Sequence, residues 1–324
     1  MRRMYTCCKI RGLNMSIITV TLSPAIDVHC HLPELVPEKE HLAMVSSRDF
    51  GGKGVNISRV LTANGVENTA FVVMGKESEK EFSEGLSKEG ITHRGFLVEG
   101  RIRENITLHT DDGKETRISF ASPAKINDGL WRKIESDLLA SVTEGSVVTL
   151  TGRVPDGISI ASVKDTLLRL KSLSIKTVID SKSFSLDDLI ACKPWLIKPN
   201  EEEIEQYVGK RVTSLSDAIT AAKRLYSDGI ENVMISLGAQ GAVLVCDSGC
   251  YCATPPTVQV KSTVGAGDST IAGFLTGIAR GMSPNQGLAF AVSCGTASCM
   301  TDGTAAPLEE NIATIFEKTI IKSI

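Results

Sequence analysis

No stretch of this 324-residue chain approaches the roughly 18 apolar residues that a membrane-spanning helix needs, so no membrane role is expected. Positive charge is not in excess either. Lys and Arg number 35 against 38 Asp and Glu, a formal net charge of -3, which leaves no broad basic surface for nucleic acid or anionic lipid. The 9 cysteines include no C-x-x-C pair, so the spacing of a structural zinc site is missing. A disulfide framework is out of place in a chain this long without a signal peptide, and free thiols in a reducing cytoplasm are expected. The G-x-x-x-x-G-K-[ST] phosphate loop is absent, as are internal repeats, low-complexity tracts and long linkers. The opening residues carry Arg2, Arg3, Lys9 and Arg11 without an apolar core, unlike a secretory signal. Residues 1–15 are read as a disordered extension and residues 16–324 as the working domain.

What the chain does have is an ordinary globular composition, 42% hydrophobic and 23% charged, in β-branched runs that alternate with segments of helical spacing. Strands are expected at Ile17–Leu22, Thr69–Met74, Ser146–Leu150, Ile175–Asp180, Leu196–Ile197 and Val233–Leu237. Helices are expected at Ile57–Asn64, Glu77–Glu89, Asn127–Ala140, Ile158–Leu170 and Asp217–Tyr226, then at Ala266–Ala279, Asn285–Met300 and Glu309–Lys318 at the end. This rhythm predicts an α/β fold whose mainly parallel sheet is covered on both faces. Ala242–Cys246 and Gly249–Ala253 read as a hairpin. Two polar segments break the pattern. Val28–Leu35 and His41–Asp49 read as exposed strands joined by a turn, and Glu104–Asp111 and Lys114–Phe120 flank the hairpin dipeptide Asp112-Gly113. Residues of about 28–49 and 103–120 are therefore expected to form a small appended sheet acting as a lid.

Two glycine-rich stretches carry the chemistry. In Ser262-Thr263-Val264-Gly265-Ala266-Gly267-Asp268, small residues stand where a loop enters a helix. Backbone N–H groups can then approach an anion, and the helix N-terminus adds partial positive charge, which makes a phosphate cradle. Asp268 is the charged side chain there, and a carboxylate beside a phosphate is electrostatically costly. It is either a helix cap or a general base for an attacking hydroxyl; the pattern alone leaves both open. A dinucleotide fingerprint fits poorly, because it belongs in the first strand–helix turn. The second stretch, Gly51-Gly52-Lys53-Gly54-Val55-Asn56, also opens a helix. It offers close backbone approach, a cation and an amide that both donates and accepts, as a sugar requires. Asp27, after the first strand, is either a turn carboxylate or an acceptor for sugar hydroxyls. Both stretches would meet in one cleft at the carboxyl ends of the parallel strands.

With these motifs, joined by Thr21-Leu-Ser-Pro-Ala-Ile-Asp27, Lys198-Pro-Asn-Glu-Glu-Glu203 and Ser236-Leu-Gly-Ala-Gln-Gly241, the chain resembles the ribokinase-like carbohydrate kinases. The likeness is to the phosphofructokinase-B branch, on the side of 1-phosphofructokinases and tagatose-6-phosphate kinases, and runs from about Ile17 to the last helix. It implies a three-layer sandwich with a small β lid, and Asp268 as catalytic base under an anion hole of Gly265, Ala266 and Gly267. It also implies sugar contacts from Asp27, Gly51, Gly52, Lys53 and Asn56, with Arg103 on the substrate phosphate. Nucleotide contacts would come from Lys198, Asn200, Ser236, Gly238, Gly241, Thr263 and Val264. Glu203 together with Asn200 would organise Mg²⁺ through water.

The implied activity is ATP-dependent phosphorylation of a ketose phosphate, foremost fructose 1-phosphate to fructose 1,6-bisphosphate. Tagatose 6-phosphate or fructose 6-phosphate is the alternative substrate, and an inactive sugar-binding regulator is the alternative from another class. ATP and Mg²⁺ are the expected cofactors; the Thr301-Asp-Gly-Thr304 segment resembles a monovalent-cation loop and leaves K⁺ open. Thr151-Gly152-Arg153 departs from the family's Ser-Gly-Ser, and the roles of Arg153, Arg117 and Lys39 stay open. The lid face would either pair with a second copy, giving a homodimer, or stay solvated in a monomer.

Overall fold

The computed structural model describes residues 16–121 and 125–324; the expected extension at residues 1–15 lies outside them. β1 (Ile17–Thr21) enters a small sheet through β2 (Ala25–Leu32) and β3 (Met44–Gly51). α1 (Lys53–Ala63), β4 (Asn68–Gly75), α2 (Glu79–Lys88) and β5 (His93–Val98) return to the main sheet, and β6 (Arg103–Thr110) with β7 (Glu115–Ile118) completes the small one. Then come α3 (Asp128–Ser141), β8 (Val147–Thr151), α4 (Ile160–Ser172), β9 (Lys176–Asp180), α5 (Leu186–Cys192), β10 (Leu196–Ile197), α6 (Glu201–Val208), α7 (Leu215–Ser227) and β11 (Asn232–Ser236). β12 (Ala242–Cys246), β13 (Gly249–Thr254), α8 (Ala266–Ala279), α9 (Pro284–Ser298), α10 (Glu309–Lys318) and β14 (Ile320–Ser323) end the chain.

The large sheet has ten strands in the order β14-β13-β12-β11-β10-β9-β8-β1-β4-β5. It is parallel from β5 to β11, and β12 to β14 add antiparallel to that edge. Its inner strands are buried along their length, as strands covered on two sides must be. Alternate residues of β1 feed the two covers. Ile18 and Val20 face a core shared with α3, α4, α5, α6 and α7, and Ile17 faces one shared with α1, α8 and α9. In that second cover α8 and α9 touch backbone to backbone: a Cβ on Gly273 would lie 2.8 Å from Ala291 Cα, and one on Gly277 3.0 Å from Gly287 Cα. β1 is also where the chain order reverses, with β4 on one side and β8 on the other. That is the position at which open α/β sheets bind ligands outside the strand carboxyl ends.

The small sheet runs β3-β2-β6-β7, with one face packed against α2 and β4 through Ile26, Val28, Phe82 and Met74. Here the expected pair of exposed strands is corrected. β2 starts at Ala25 and is largely buried, because it lies between β3 and β6 rather than on an edge. Helix α1 begins at Lys53, so Asn56 belongs to its first turn. β5, α5, α6 and β14 have no counterpart among the expected elements. The Asp112-Gly113 and Ala242–Ala253 hairpins, and the bounds of α8 and α10, stand as expected. The cysteines among the described residues are free, no group there of three or more His, Cys, Asp or Glu could hold a metal ion, and no helix there is long and apolar enough to cross a membrane.

Candidate active site

The carboxyl ends of β1, β8 and β9 lie level, with Thr21 beside Thr151 and Thr151 beside Asp180. Above this row α8 begins. Gly265 takes φ 79° as its N-cap, a left-handed turn that suits glycine. The first amides of any helix have no carbonyl partner within it. The Ala266 amide makes a long 3.3 Å contact to the Thr263 carbonyl. Thr263 is exposed and the Val264 amide donates to Ser262 Oγ at 3.2 Å. A Cβ on Gly267 would meet Lys198 Nζ at 3.1 Å, so the Lys198 ammonium closes one side of the cradle.

Asp268, in the first turn of α8, is 6% exposed. Its Oδ2 accepts from Asn56 Nδ2 at 2.8 Å, which joins the two glycine motifs across 212 residues of sequence. Burial first, then the nearby Asp180 carboxylate, push the Asp268 carboxyl up to about 6, against the Asn56 hydrogen bond and the Lys53 and Lys198 ammoniums. Lys53 turns toward Asp180, Nζ to Oδ2 3.0 Å. Burial works against its charge, but Asp180, with Asp268 and Glu203 behind it, holds its pKa above the ordinary lysine value.

On the other side of Asn56 stands Asp27. An atom at the Cβ position of Gly51 would lie 3.5 Å from Asp27 Oδ2 and 3.6 Å from Asn56 Oδ1, so the glycine keeps open the space between the two polar groups. Gly52, at φ 130°, turns the chain into α1 against Thr21 and Pro24. Asp27 is fixed by two partners that no sequence motif announces. Asn105 stands in register beside it on β6 and donates from Nδ2 at 2.8 Å, and Arg117 Nη2 reaches the same Oδ1 at 2.8 Å. The only signal for Asn105 is its spacing of two from Arg103, which puts both on one face of a strand. Arg103 has a buried Nε without a hydrogen-bond partner. Burial lowers its pKa below the ordinary arginine value; Asp27 opposes this, while Arg117 and Arg153 push the same way. Arg103 thus shares its surroundings with the Asp27 carboxylate and two further guanidiniums. Arg153 is otherwise exposed, 3.8 Å from Asp156, and Lys39 is exposed on the connection between β2 and β3. Asp27 and Arg117 also line a cleft of about 990 Å³ that extends past Arg59 to Thr304.

The remaining expected residues gather beyond β10. Asn200 caps α6 in a reciprocal box: its Oδ1 accepts from the Glu203 amide at 2.8 Å, and Glu203 Oε2 accepts from the Asn200 amide at 3.1 Å. Ser236 bridges to Asn200 at the end of β11. Gly238 and Gly241 form the turn into β12, and a Cβ on Gly241 would strike the Ala253 carbonyl, so packing alone demands glycine there.

A profile of pfkB family carbohydrate kinases matches residues 21–311. A 1-phosphofructokinase of Escherichia coli (strain K12) is 35% identical over 82% of this chain and 85% of its own length. A 1-phosphofructokinase of Haemophilus influenzae is 33% identical over 86% and 89%. Among solved structures, phosphofructokinase-2 from Escherichia coli in complex with potassium superposes with a TM-score of 0.87 at 26% identity, covering 94% of this chain and 99% of that one.

Proposed function

The chain belongs to the pfkB family of carbohydrate kinases, and we propose that within it this protein transfers the γ-phosphoryl group of MgATP to the 6-hydroxyl of fructose 1-phosphate. The observation that carries the reading is the buried Asp268 carboxylate, held by Asn56 at the mouth of the glycine cradle and a few ångströms from the gap between Asp27 and Asn56. With a pKa of about 6 it is ionised near neutrality yet basic enough to take a proton. The sugar oxygen attacks the γ-phosphorus, its proton passes to Asp268, and the bond from phosphorus to the ADP oxygen breaks with its electron pair. The amides at the start of α8, with Lys198, stabilise the charge of the group in transit.

A phosphate on the substrate accounts for Arg103, whose unpartnered buried Nε and crowded charge call for an anion. The Gly51-Gly-Lys-Gly54 form and the 1-phosphofructokinase relatives support fructose 1-phosphate over a ketose 6-phosphate. For a divalent cation, Asn200 and Glu203 provide oxygen donors only, which suits magnesium; bound there through water, it would neutralise phosphate charge. Potassium fits the Thr301–Thr304 segment, which packs on Gly265; replacing it in the assay by tetramethylammonium is expected to lower kcat. A second copy of the chain would cover Met44, Val45 and Ile118 on the small sheet and Leu42 just before it, exposed at 69, 60, 44 and 92%. Sedimentation velocity is expected to give a dimer, and Met44→Asp a monomer.

An ADP-release assay compares kcat/KM for fructose 1-phosphate, fructose 6-phosphate and tagatose 6-phosphate, with the first expected highest. A higher value for either 6-phosphate overturns the substrate. No turnover on any, with sugar binding retained, overturns the enzyme in favour of a sugar-binding regulator.

A further inference from the structure

Arg59 is 6% exposed and touches none of the groups that would meet substrate except one. It lies three residues after Asn56 on α1, where side chains share a face. Its Nη1 donates to Asn56 Oδ1 at 2.9 Å and to the Thr304 carbonyl and hydroxyl at 3.3 and 3.4 Å. Its Nε and Nη2 hold the Glu89 carboxylate at the end of α2, and Nη2 also reaches the Phe50 carbonyl. A buried guanidinium is costly unless its donors are used. Here all three nitrogens have partners, and Asp49 faces the same charge.

The consequence falls on Asn56. Its amide has two ends, and only one arrangement satisfies both neighbours. With Oδ1 toward Arg59 and Nδ2 toward Asp268, each contact pairs a donor with an acceptor. Turned by 180°, the amide would set an N–H against the guanidinium and an oxygen against the carboxylate, so both contacts would repel. Asp268 alone favours the observed orientation; Arg59 closes off the alternative from the far side.

We propose that Arg59 is a positioning residue for phosphoryl transfer, locking the Asn56 amide so that it presents an N–H to Asp268 and tying that orientation, through Thr304, to the turn beside the glycine cradle. This rests on the reading of Asp268 as the base. The other groups facing Asp268 are Lys53 from α1, Asp180 from the end of β9 and Lys198 beyond β10, and none of them contacts Arg59 in the hydrogen bonds or ion pairs of the described residues.

The test is Arg59→Lys, which keeps a cation for Glu89 but has no second arm for Asn56. The carboxyl ¹³C signal of Asp268, assigned by its loss in Asp268→Asn, is titrated in the folded protein. Losing a fixed donor to the carboxylate is expected to move the midpoint up by about one pH unit, and the acid limb of kcat is expected to move with it. Asn56→Ala is expected to give the same shift, and adding Arg59→Lys to it no further shift. Should Arg59→Lys fail to fold, Glu89→Gln loosens the same clamp from a partly exposed position and is expected to shift the midpoint in the same direction by less. A lower melting temperature with an unmoved midpoint overturns the proposal, since Arg59 would then serve the fold alone. A midpoint that moves while Asp268→Asn keeps near-wild-type turnover overturns instead the base reading beneath it.

Discussion

The two sides of the candidate active site are built differently. On the α8 side, Asp268, Lys198 and Asp180 end buried strands or open a helix of the ten-stranded sheet, and none is more than 6% exposed. On the other side, Asp27 is buried but its partners rest on a four-stranded sheet whose last strand, β7, is exposed along its length. Arg117 reaches Asp27 from that strand, and Asn105 is held by the Phe120 amide at 3.2 Å just beyond it. Groups that must not move are set in the main sheet. On the sugar side, only the Arg117 contact rests on an exposed edge strand, where local opening costs least.

Asp268→Asn strains this contrast most. Turnover is expected to fall at least ~100-fold, the low end for loss of a general base. The fold is expected to become more stable. The carboxyl ionises at about 6 in the fold against an ordinary 3.8, so the native state binds the proton more tightly than the unfolded chain does. The stability this gives is complete below about pH 4 and lost as pH rises through about 6. Above that the buried charge costs on the order of 3 kcal/mol. Calorimetry at pH 7.5 should show the variant melting a few degrees higher, with the gain vanishing near pH 4; equal turnover would reduce Asp268 to a helix cap.

On the small-sheet side, Arg103→Ala is expected to lower kcat/KM for fructose 1-phosphate by roughly 10- to 100-fold, the range for a charge-assisted contact. Free fructose should be affected far less, and equal losses on both would show that Arg103 serves the sheet. Asn105→Ala is expected to raise KM by up to about tenfold, chiefly through loss of its buried hydrogen bond to Asp27, with kcat nearly kept. The smallest effect is on pH. In the wild type kcat is expected to fall about twofold from pH 8 to pH 6 as Asp268 takes up a proton, and a flat profile would contradict that assignment.

The sequence made the α8 side legible because its chemistry is local. Gly265, Gly267 and Asp268 lie within four residues, and small residues before a helix suggest an anion site wherever they occur. The Asp27 partners are not local. Asn105 meets Asp27 through a parallel register between β2 and β6, which no spacing within either strand reveals. His29 and His31 made β2 look solvent-facing, yet its alternate residues Ile26 and Val28 seat the small sheet on α2. α6 is hard to read in sequence because Glu201-Glu202-Glu203 offers little apolar period, and its start is set by the Asn200–Glu203 box. In sequence Arg59 is one charge on a helix; its meaning depends on Glu89 and Thr304, brought in from elsewhere in the chain.

The glycines that bring α8 and α9 into backbone contact have a mechanical consequence. With Gly273 against Ala291 and Gly277 against Gly287, there is no side-chain cushion to absorb a sliding helix, so the base stands like an anvil. Adjustment to a differently shaped ketose then falls to the four-stranded flap, and a substrate whose hydroxyl arrives a fraction of an ångström off is turned away by geometry instead of being met halfway.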